Sequence, residues 1–345
     1  MSQDVLRKLL QALLGGADIG EQGAQQIMAA LAENDVAPAM AGALLAALHA
    51  KGESAQEIRG FAREMRARAL APTLPAGIDA VDVVGTGGDG SGSFNLSTGA
   101  GLLAAAAGAA VVKHGNRSVS SQSGSADVLE TLGVPLDLAP EHAGGCLAAA
   151  NFVFLFAPVY HPAMKAVVPV RQAMGVRTVF NVLGPLTNPA QPPFQVIGAY
   201  REDVAELMAE ALSGLPIERA FVVHGDNGWD EATPICPFTL FDVRPGTVKR
   251  TRRTPEDYGL ARCDAADLAG GDAAANAAAL QAVLHGEDTG AHADALLMGS
   301  SLVLEVAQLA DDAQDGVAKA RAAIVEGRGR AVLAQLTEVR KQHQP

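Results

Sequence analysis

The chain has 345 residues, 49% of them hydrophobic but only 4% aromatic, so a substantial core is available and alanine, leucine and valine must supply most of its packing. A formal net charge of -12, with a pI near 5.1, repels polyanions. It argues against nucleic-acid and acidic-membrane binding and requires a local cationic pocket for any phosphorylated ligand. Cys146, Cys236 and Cys263 contain no Cys-x-x-Cys pair and are odd in number, so neither a disulfide framework nor a structural zinc site is expected, and a reducing cytoplasm fits.

The opening segment, with Asp4, Arg7 and Lys8 around a short leucine-rich stretch, lacks the features of a secretory leader. From Val5 to about Ala71 the period is helical, beginning with Val5, Leu6, Leu9, Leu10 and Leu13. Ser54-Ala55-Gln56-Glu57 predicts a capping box at the start of an Ile58 to Leu70 helix, and Pro72 and Pro75 end the pattern. Strand candidates follow at Ala80 to Val84 and Ala109 to Val112, with a glycine loop and an alanine-rich helix between them, which is βαβ logic. The apolar run Gly99 to Val112 falls short of the ~20 residues of a bilayer crossing. Further strands are expected at Phe152 to Phe156, Gln195 to Tyr200, Ala220 to Val223 and Thr239 to Val243. Helices are expected at Met164 to Gly175 despite Pro169, at Ala273 to Leu284, and over Asp311 to Val339 with a break at Gly327 to Gly329. The alternation predicts an α/β fold, and no internal repeat is present.

The loop Gly85-Thr86-Gly87-Gly88-Asp89-Gly90-Ser91-Gly92-Ser93-Phe94-Asn95-Leu96-Ser97-Thr98 is the first chemical signal. Glycines permit φ > 0 and expose amides that converge on a phosphate. The string satisfies G-x-G-x-x-G, but no Asp or Glu lies between Asp89 and Asp127, so the ribose-binding acid of a dinucleotide fold is missing. No Gly-Lys-Ser or Gly-Lys-Thr closes it as a Walker A loop either. A plain tight connection is the bland alternative. Against it, Asn95, Ser97 and Thr98 stand where the next helix begins, placed to cap it or to reach a phosphate at its positive end.

The second signal runs from Lys113 to Ser125, where two cations, His114, Asn116 and several hydroxyls follow a strand. Separately these residues read as a solvated loop. Clustered at a strand's carboxyl end, they read as a ligand site. Asp230-Glu231 is the best metal candidate, because magnesium takes one or two carboxylates and fills its shell with water and phosphate oxygens. His161-Pro162 and Arg171 form a further wall, with Arg177 near the polar turn Asn181 to Asn188. A guanidinium at 171 suits a carboxylate.

Together these segments resemble the anthranilate phosphoribosyltransferase family. The resemblance runs through Asp82 to Asp89, Ser93 to Thr98, Lys113 to Arg117, Ser120 to Glu130, His161 to Lys165, Arg177 to Pro189 and Asp230-Glu231. It implies a small helical domain over 1-71, joined by an insertion around 162-178, beside an α/β domain over 76-345 with a central mixed, mainly parallel sheet. It also implies a homodimer. Family carry-over places phosphoribosyl diphosphate (PRPP) at Gly85, Gly88, Asp89, Ser93, Asn95, Leu96, Ser97, Thr98, Lys113, His114, Gly115, Asn116, Arg117, Ser118, Val119, Ser120, Ser121 and Ser125. Anthranilate falls to Gly85, Asn116 and Arg171, and Mg2+, two ions per subunit with PRPP, to Ser97, Asp230 and Glu231. Trp229 and Cys236 depart from the family pattern in the metal segment, which bears on loop geometry.

The implied reaction is transfer of the phosphoribosyl group from PRPP to the anthranilate amine, with Lys113, Asn116, Arg171, Asp230 and Glu231 as the catalytic set. Its nearest rival is a pyrimidine-nucleoside phosphorylase, which shares a Lys-His-Gly-like loop, but Asn116-Arg117 and the Arg177 to Pro189 segment favour anthranilate. A nucleic-acid-binding relative is the rival from another class. It would need a basic surface and damaged loops, and this acidic chain has neither.

Overall fold

The computed structural model describes residues 3–33, 35–118 and 122–343. Four helices come first: α1 (Gln3–Leu14), α2 (Gly20–Ala32), α3 (Pro38–Lys51) and α4 (Ala55–Ala67). The expected capping box is present: Glu57 N donates to Ser54 Oγ at 3.4 Å, and Glu57 Oε2 accepts from Ser54 N at 2.8 Å. Glu57 is fully buried, and its other oxygen accepts from Ile19 N at 3.0 Å, so one side chain caps α4 and ties it to the start of α2. At Gly60 an added Cβ would lie 2.3 Å from Glu21 O, which is why α2 and α4 pack in close contact.

The remaining elements are β1 (Ala80–Gly85), α5 (Leu96–Ala106), β2 (Ala110–Gly115), α6 (Ser125–Thr131), α7 (Ala143–Ala150), β3 (Phe152–Phe156), α8 (Ala157–Tyr160), α9 (Val168–Met174), α10 (Phe180–Leu183), β4 (Phe194–Gly198), α11 (Glu202–Ser213), β5 (Arg219–Gly225), β6 (Phe238–Arg244), β7 (Thr247–Arg253), α12 (Ala273–Leu284), α13 (Ala291–Val306), α14 (Ala313–Val325) and α15 (Arg328–His343). The seven strands form one sheet in the order β3-β2-β1-β4-β5-β6-β7. Pairs from β3 through β5 are parallel, and β5–β6 and β6–β7 are antiparallel. Strand order reverses between β1 and β4, where parallel sheets open a crevice at their carboxyl ends.

Apolar side chains cover both faces. One core joins the sheet to α5, α7 and α12 through α15, with Phe152, Phe154 and Phe221 among its fully buried residues. The other joins α1 through α4 to α10, α11 and the opposite sheet face, through Ile27, Phe61, Ile197, Val222 and Phe241. Arg59 Nε donates to Ala211 O at 3.2 Å and Arg66 Nε to Leu186 O at 2.7 Å, pinning α4 to the sheet side.

Three local expectations change. The Met164 to Gly175 helix is divided into a 3-10 turn over Pro162–Ala166 and α9, with Pro169 in the first turn of α9, where its missing N–H costs nothing. Strand β7 is absent from the sequence reading because its run Thr-Val-Lys-Arg-Thr-Arg-Arg is an exposed, charged sheet edge with no apolar period. Helix α13 is absent for the opposite reason: nearly every residue from Ala293 to Val306 is buried, so no polar face marks the period.

Candidate active site

The site is built at the β1/β4 switch point. Gly85 and Gly198 are register partners at the ends of these strands, and Asp230 lies across both. A Cβ on Gly198 would stand 1.5 Å from Asp230 O, and one on Gly85 2.5 Å from Asp230 Oδ2. Only glycine permits this approach. Asp230 Oδ2 accepts from Gly87 N at 2.6 Å and from Thr86 Oγ1 at 3.4 Å. Asp89 Oδ2 accepts from Asp230 N at 3.2 Å, while its Oδ1 takes Ser91 N at 3.1 Å and Ser91 Oγ at 3.0 Å. The sequence-distant acid therefore closes the first loop, whose Gly87 and Gly88 have φ of 68° and 75°. Arg177 Nη2 donates to Gly88 O at 2.6 Å, and its guanidinium lies 4.1 Å from the Tyr200 ring centre.

At the start of α5, capping, one of the two roles expected there, is not performed by Asn95. Asn95 occupies the N-cap position, but its side chain makes no cap hydrogen bond. Its Nδ2 donates to Ser123 O at 3.3 Å and its Oδ1, the atom that would cap the helix, accepts instead from Asn276 Nδ2 at 2.9 Å. Leu96 is buried and gives its amide to Phe94 O at 2.7 Å. Thr98 is buried, and Ser93 bridges in antiparallel fashion to Ala269.

Strand alternation sends Lys113 and His114 to opposite sides of β2. Lys113 is 1% exposed, and its ammonium donates to Val83 O and, at 3.2 Å, to Ser97 Oγ beneath the first turn of α5. Burial pulls its pKa down, opposed by the charges of Asp82, Glu231 and Asp230. Asp82 is fully buried and accepts from Asn188 Nδ2 at 2.8 Å and His114 N at 3.1 Å; burial pushes its carboxyl up to about 6 against the pull of Lys113. Asp82 and Asn188 were not among the expected ligands. They brace the strand that carries them, and an acid inside an apolar strand was the available signal.

In the second loop, Asp127 Oδ2 accepts from Gly124 N at 2.9 Å and Ser118 N at 3.2 Å, while Ser125 Oγ donates to Asn116 O at 3.2 Å. A Cβ on Gly115 would meet Ser125 Oγ at 2.5 Å. Arg117 Nη1 lies 2.8 Å from both Asp127 Oδ1 and Glu130 Oε2, so its charge is committed to α6. Val119, Ser120 and Ser121 lie outside the described residues.

Asn116 is shared with a cavity of about 220 Å3 that opens toward the helices, lined also by His114, His161, Met164, Arg171 and Phe180. Arg171 stacks 5.3 Å from the Phe180 ring centre, and among the described residues no carboxylate pairs with it. Burial lowers the pKa of both cavity histidines, His114 to about 3, and keeps them neutral at pH 7. With Gly184 O accepting at 3.3 Å from Nδ1, the His114 Nε2 lone pair has no protein partner among the described residues.

Asp230 and Glu231 pass the test for a hard divalent cation. Burial and then Asp89 push Asp230 up to about 7, and burial and then Asp230 push Glu231 well above the usual carboxylate range. These adjacent acids, Asp230 buried and Glu231 half-buried against the Ser97 amide, form an oxygen donor pair whose charge a dication would neutralise. Trp229 is buried in the core and its carbonyl closes the turn on Gly225 N at 3.0 Å, while Cys236 is half-buried.

Residues 7–69 match the helical bundle domain of the glycosyl transferase family, and residues 77–330 match its a/b domain. The chain is 46% identical to the anthranilate phosphoribosyltransferase of Desulforudis audaxviator, over 97% of this chain and 96% of that one. It superposes on the Thermus thermophilus anthranilate phosphoribosyltransferase with a TM-score of 0.89 at 41% identity, covering 96% of this chain and 99% of that one. The Saccharomyces cerevisiae enzyme in complex with PRPP and Mg gives 0.89 at 26% identity, and its complex with 4-fluoroanthranilate 0.86 at 25%, each covering 99% of both chains. The chain belongs to the anthranilate phosphoribosyltransferase family.

Proposed function

We propose that this chain transfers the 5-phosphoribosyl group of PRPP to the amine of anthranilate, giving N-(5-phosphoribosyl)anthranilate and pyrophosphate, a step of tryptophan synthesis from chorismate. The observation that carries the reading is the position of Asn116. It lies in the second anion loop, where Ser125 Oγ donates to its carbonyl, and also lines the cavity that holds Arg171, so a phosphorylated donor and an acidic acceptor meet at one residue.

In the reaction the amine nitrogen bonds to ribose C1 while the C1–oxygen bond breaks, its electron pair leaves with pyrophosphate, and the amine proton passes to solvent. A neutral arylamine is nucleophilic without a strong base, which suits a cavity whose two histidines stay neutral. Catalysis then rests on alignment and on charge placed where the leaving group gathers it. Loop amides from Gly85 to Thr98 hold phosphate oxygens, and Arg171 orients the acceptor carboxylate by a bidentate contact. The buried Lys113 places positive charge beneath Ser97. Asp230, Glu231 and Ser97 would hold Mg2+, which would supply charge neutralisation to the leaving diphosphate. We propose two such ions per subunit when PRPP is bound.

We further assign residues 1-71, with 162-178, to a helical body and 76-345 to a catalytic body; α9 packs against α3 and the Pro162–Ala166 turn against α2, which supports joining the later segment to the bundle. A homodimer through that helical body and a cytoplasmic location complete the reading. The three cysteines are free, and among the described residues no helix is long and apolar enough to cross a membrane. Pyrophosphate release from PRPP and Mg2+ should require anthranilate and not respond to uridine or thymidine. Phosphorolysis of either nucleoside without anthranilate turnover would replace this function with its rival. Light scattering at a monomer mass would remove the dimer.

A further inference from the structure

Asn276 lies in the first turn of α12, 4% exposed and far in sequence from the loops it serves. Its Oδ1 accepts from Gly271 N at 2.7 Å, and its Nδ2 donates to Asn95 Oδ1 at 2.9 Å. Asn95 Nδ2 in turn donates to Ser123 O at 3.3 Å. The two ends of this chain are backbone groups of fixed polarity: an N–H at Gly271 and a carbonyl at Ser123. Both amides between them therefore have one satisfied orientation. The sequence gives Asn95 to the first loop and Ser123 to the second, so the relay ties the two loops together.

The same strap grips the first loop by its backbone. Gly270 N donates to Gly92 O at 2.7 Å, Phe94 N to Leu268 O at 3.0 Å, and a Cβ on Gly270 would lie 2.6 Å from Ser93 O. These contacts hold the loop's path. They do not determine which way the Asn95 amide faces; that choice rests on Asn276 at its oxygen and the Ser123 carbonyl at its nitrogen.

We propose that Asn276 is a positioning residue for phosphoribosyl transfer: it sets the polarity of the Asn95 amide so that Nδ2, with one hydrogen on Ser123 O, keeps its second hydrogen for an oxygen of the phosphorylated substrate. The proposal rests on the PRPP reading of the loops given above. Asn95 Oδ1 is available to Asn276 because it does not cap α5.

The relay makes an unusual demand on substitution. Asn276→Ala deletes a partner, whereas the near-isosteric Asn276→Asp keeps the bond to Gly271 N but presents an acceptor to Asn95 Oδ1. The Asn95 amide must then turn over, placing its oxygen against Ser123 O and against the incoming anion. Asn276→Asp is expected to raise the KM for PRPP by about tenfold or more, beyond Asn276→Ala, with the KM for anthranilate changed less than about twofold. A purely space-filling role predicts the reverse order, with aspartate the milder change.

The experiment measures both variants by steady-state pyrophosphate release and, without substrate, follows the side-chain amide signal of Asn95 by 15N NMR, assigned with Asn95→Ala. The proposal requires that signal to shift in Asn276→Asp and the PRPP KM to follow the stated order. An unmoved signal, or aspartate no worse than alanine, overturns it. If the native chain shows the relay in the NMR signal but releases no pyrophosphate from PRPP with anthranilate, the reading of the reaction falls and, with it, the substrate role of Asn276, while the amide orientation stands.

Discussion

Asp230 Oδ2 accepts the Gly87 amide at 2.6 Å, joining residues 143 positions apart at the point where the sheet reverses its strand order. The carboxylate stands on a loop whose amides suit an anion. The fold has thus placed the acid in contact with the glycine loop.

Two glycines guard that contact, and they should fail differently. In Gly85→Ala the new methyl meets the end of the Asp230 side chain, which can swing aside, so the protein should fold with turnover reduced by about a hundredfold. In Gly198→Ala it meets the Asp230 backbone inside a central strand pair, so soluble folded protein should be lost. Circular dichroism melting beside a turnover assay separates the two; a stable, fully active Gly198→Ala would contradict the packing described.

Crowding carboxylates in the interior opposes stability in favour of function. Asp230→Asn keeps an acceptor for Gly87 N but removes one of the buried like charges, and should raise the unfolding free energy by about 1 kcal/mol at pH 7.5 while impairing turnover. Asp230→Ala combined with Glu231→Ala should abolish Mg2+-dependent turnover. Calorimetry and the pyrophosphate assay on the same samples test both statements, and full activity in the double variant would remove the metal assignment.

Arg171 has no carboxylate partner in the described protein, so its guanidinium is available to a ligand acid. Arg171→Ala should raise the KM for anthranilate by about tenfold to a hundredfold while leaving PRPP binding within about twofold. Arg171→Lys should recover only part of the loss, because an ammonium lacks the planar fork. Initial rates against each substrate in turn check the split.

His114 should impose a pH dependence on stability. Its ordinary pKa of 6.5 falls to about 3 in the fold, so below pH 6.5 the unfolded chain takes up a proton that the folded chain refuses. Stability is lost as pH falls from 6.5 toward 3, by at most about 1.4 kcal/mol per pH unit. Asp82 acts in the opposite sense: its folded carboxyl titrates at about 6 against an ordinary 3.8, so protonation favours the fold as pH falls through that interval. The difference between the native chain and His114→Asn isolates the histidine. Urea midpoints at pH 7 and pH 5 should converge on substitution, and an unchanged slope would contradict a neutral buried imidazole.

Much of this was legible in the chain itself. Local rules fix Ser54 with Glu57 as a capping box, Phe152–Phe156 as a strand and Ala273–Leu284 as a helix, because each depends on neighbours a few residues away. The glycine loop, the Lys113 segment and the acid pair also announce phosphate and metal chemistry by composition. Tertiary structure decided how those parts serve one another. Arg117 is paired with Asp127 and Glu130, Asn95 leaves its helix uncapped and spans two loops, and Asn276 carried no signal at all. The reason is physical: residue type limits what a side chain offers, whereas its partner is whichever group the sheet order and helix packing bring within about 3 Å.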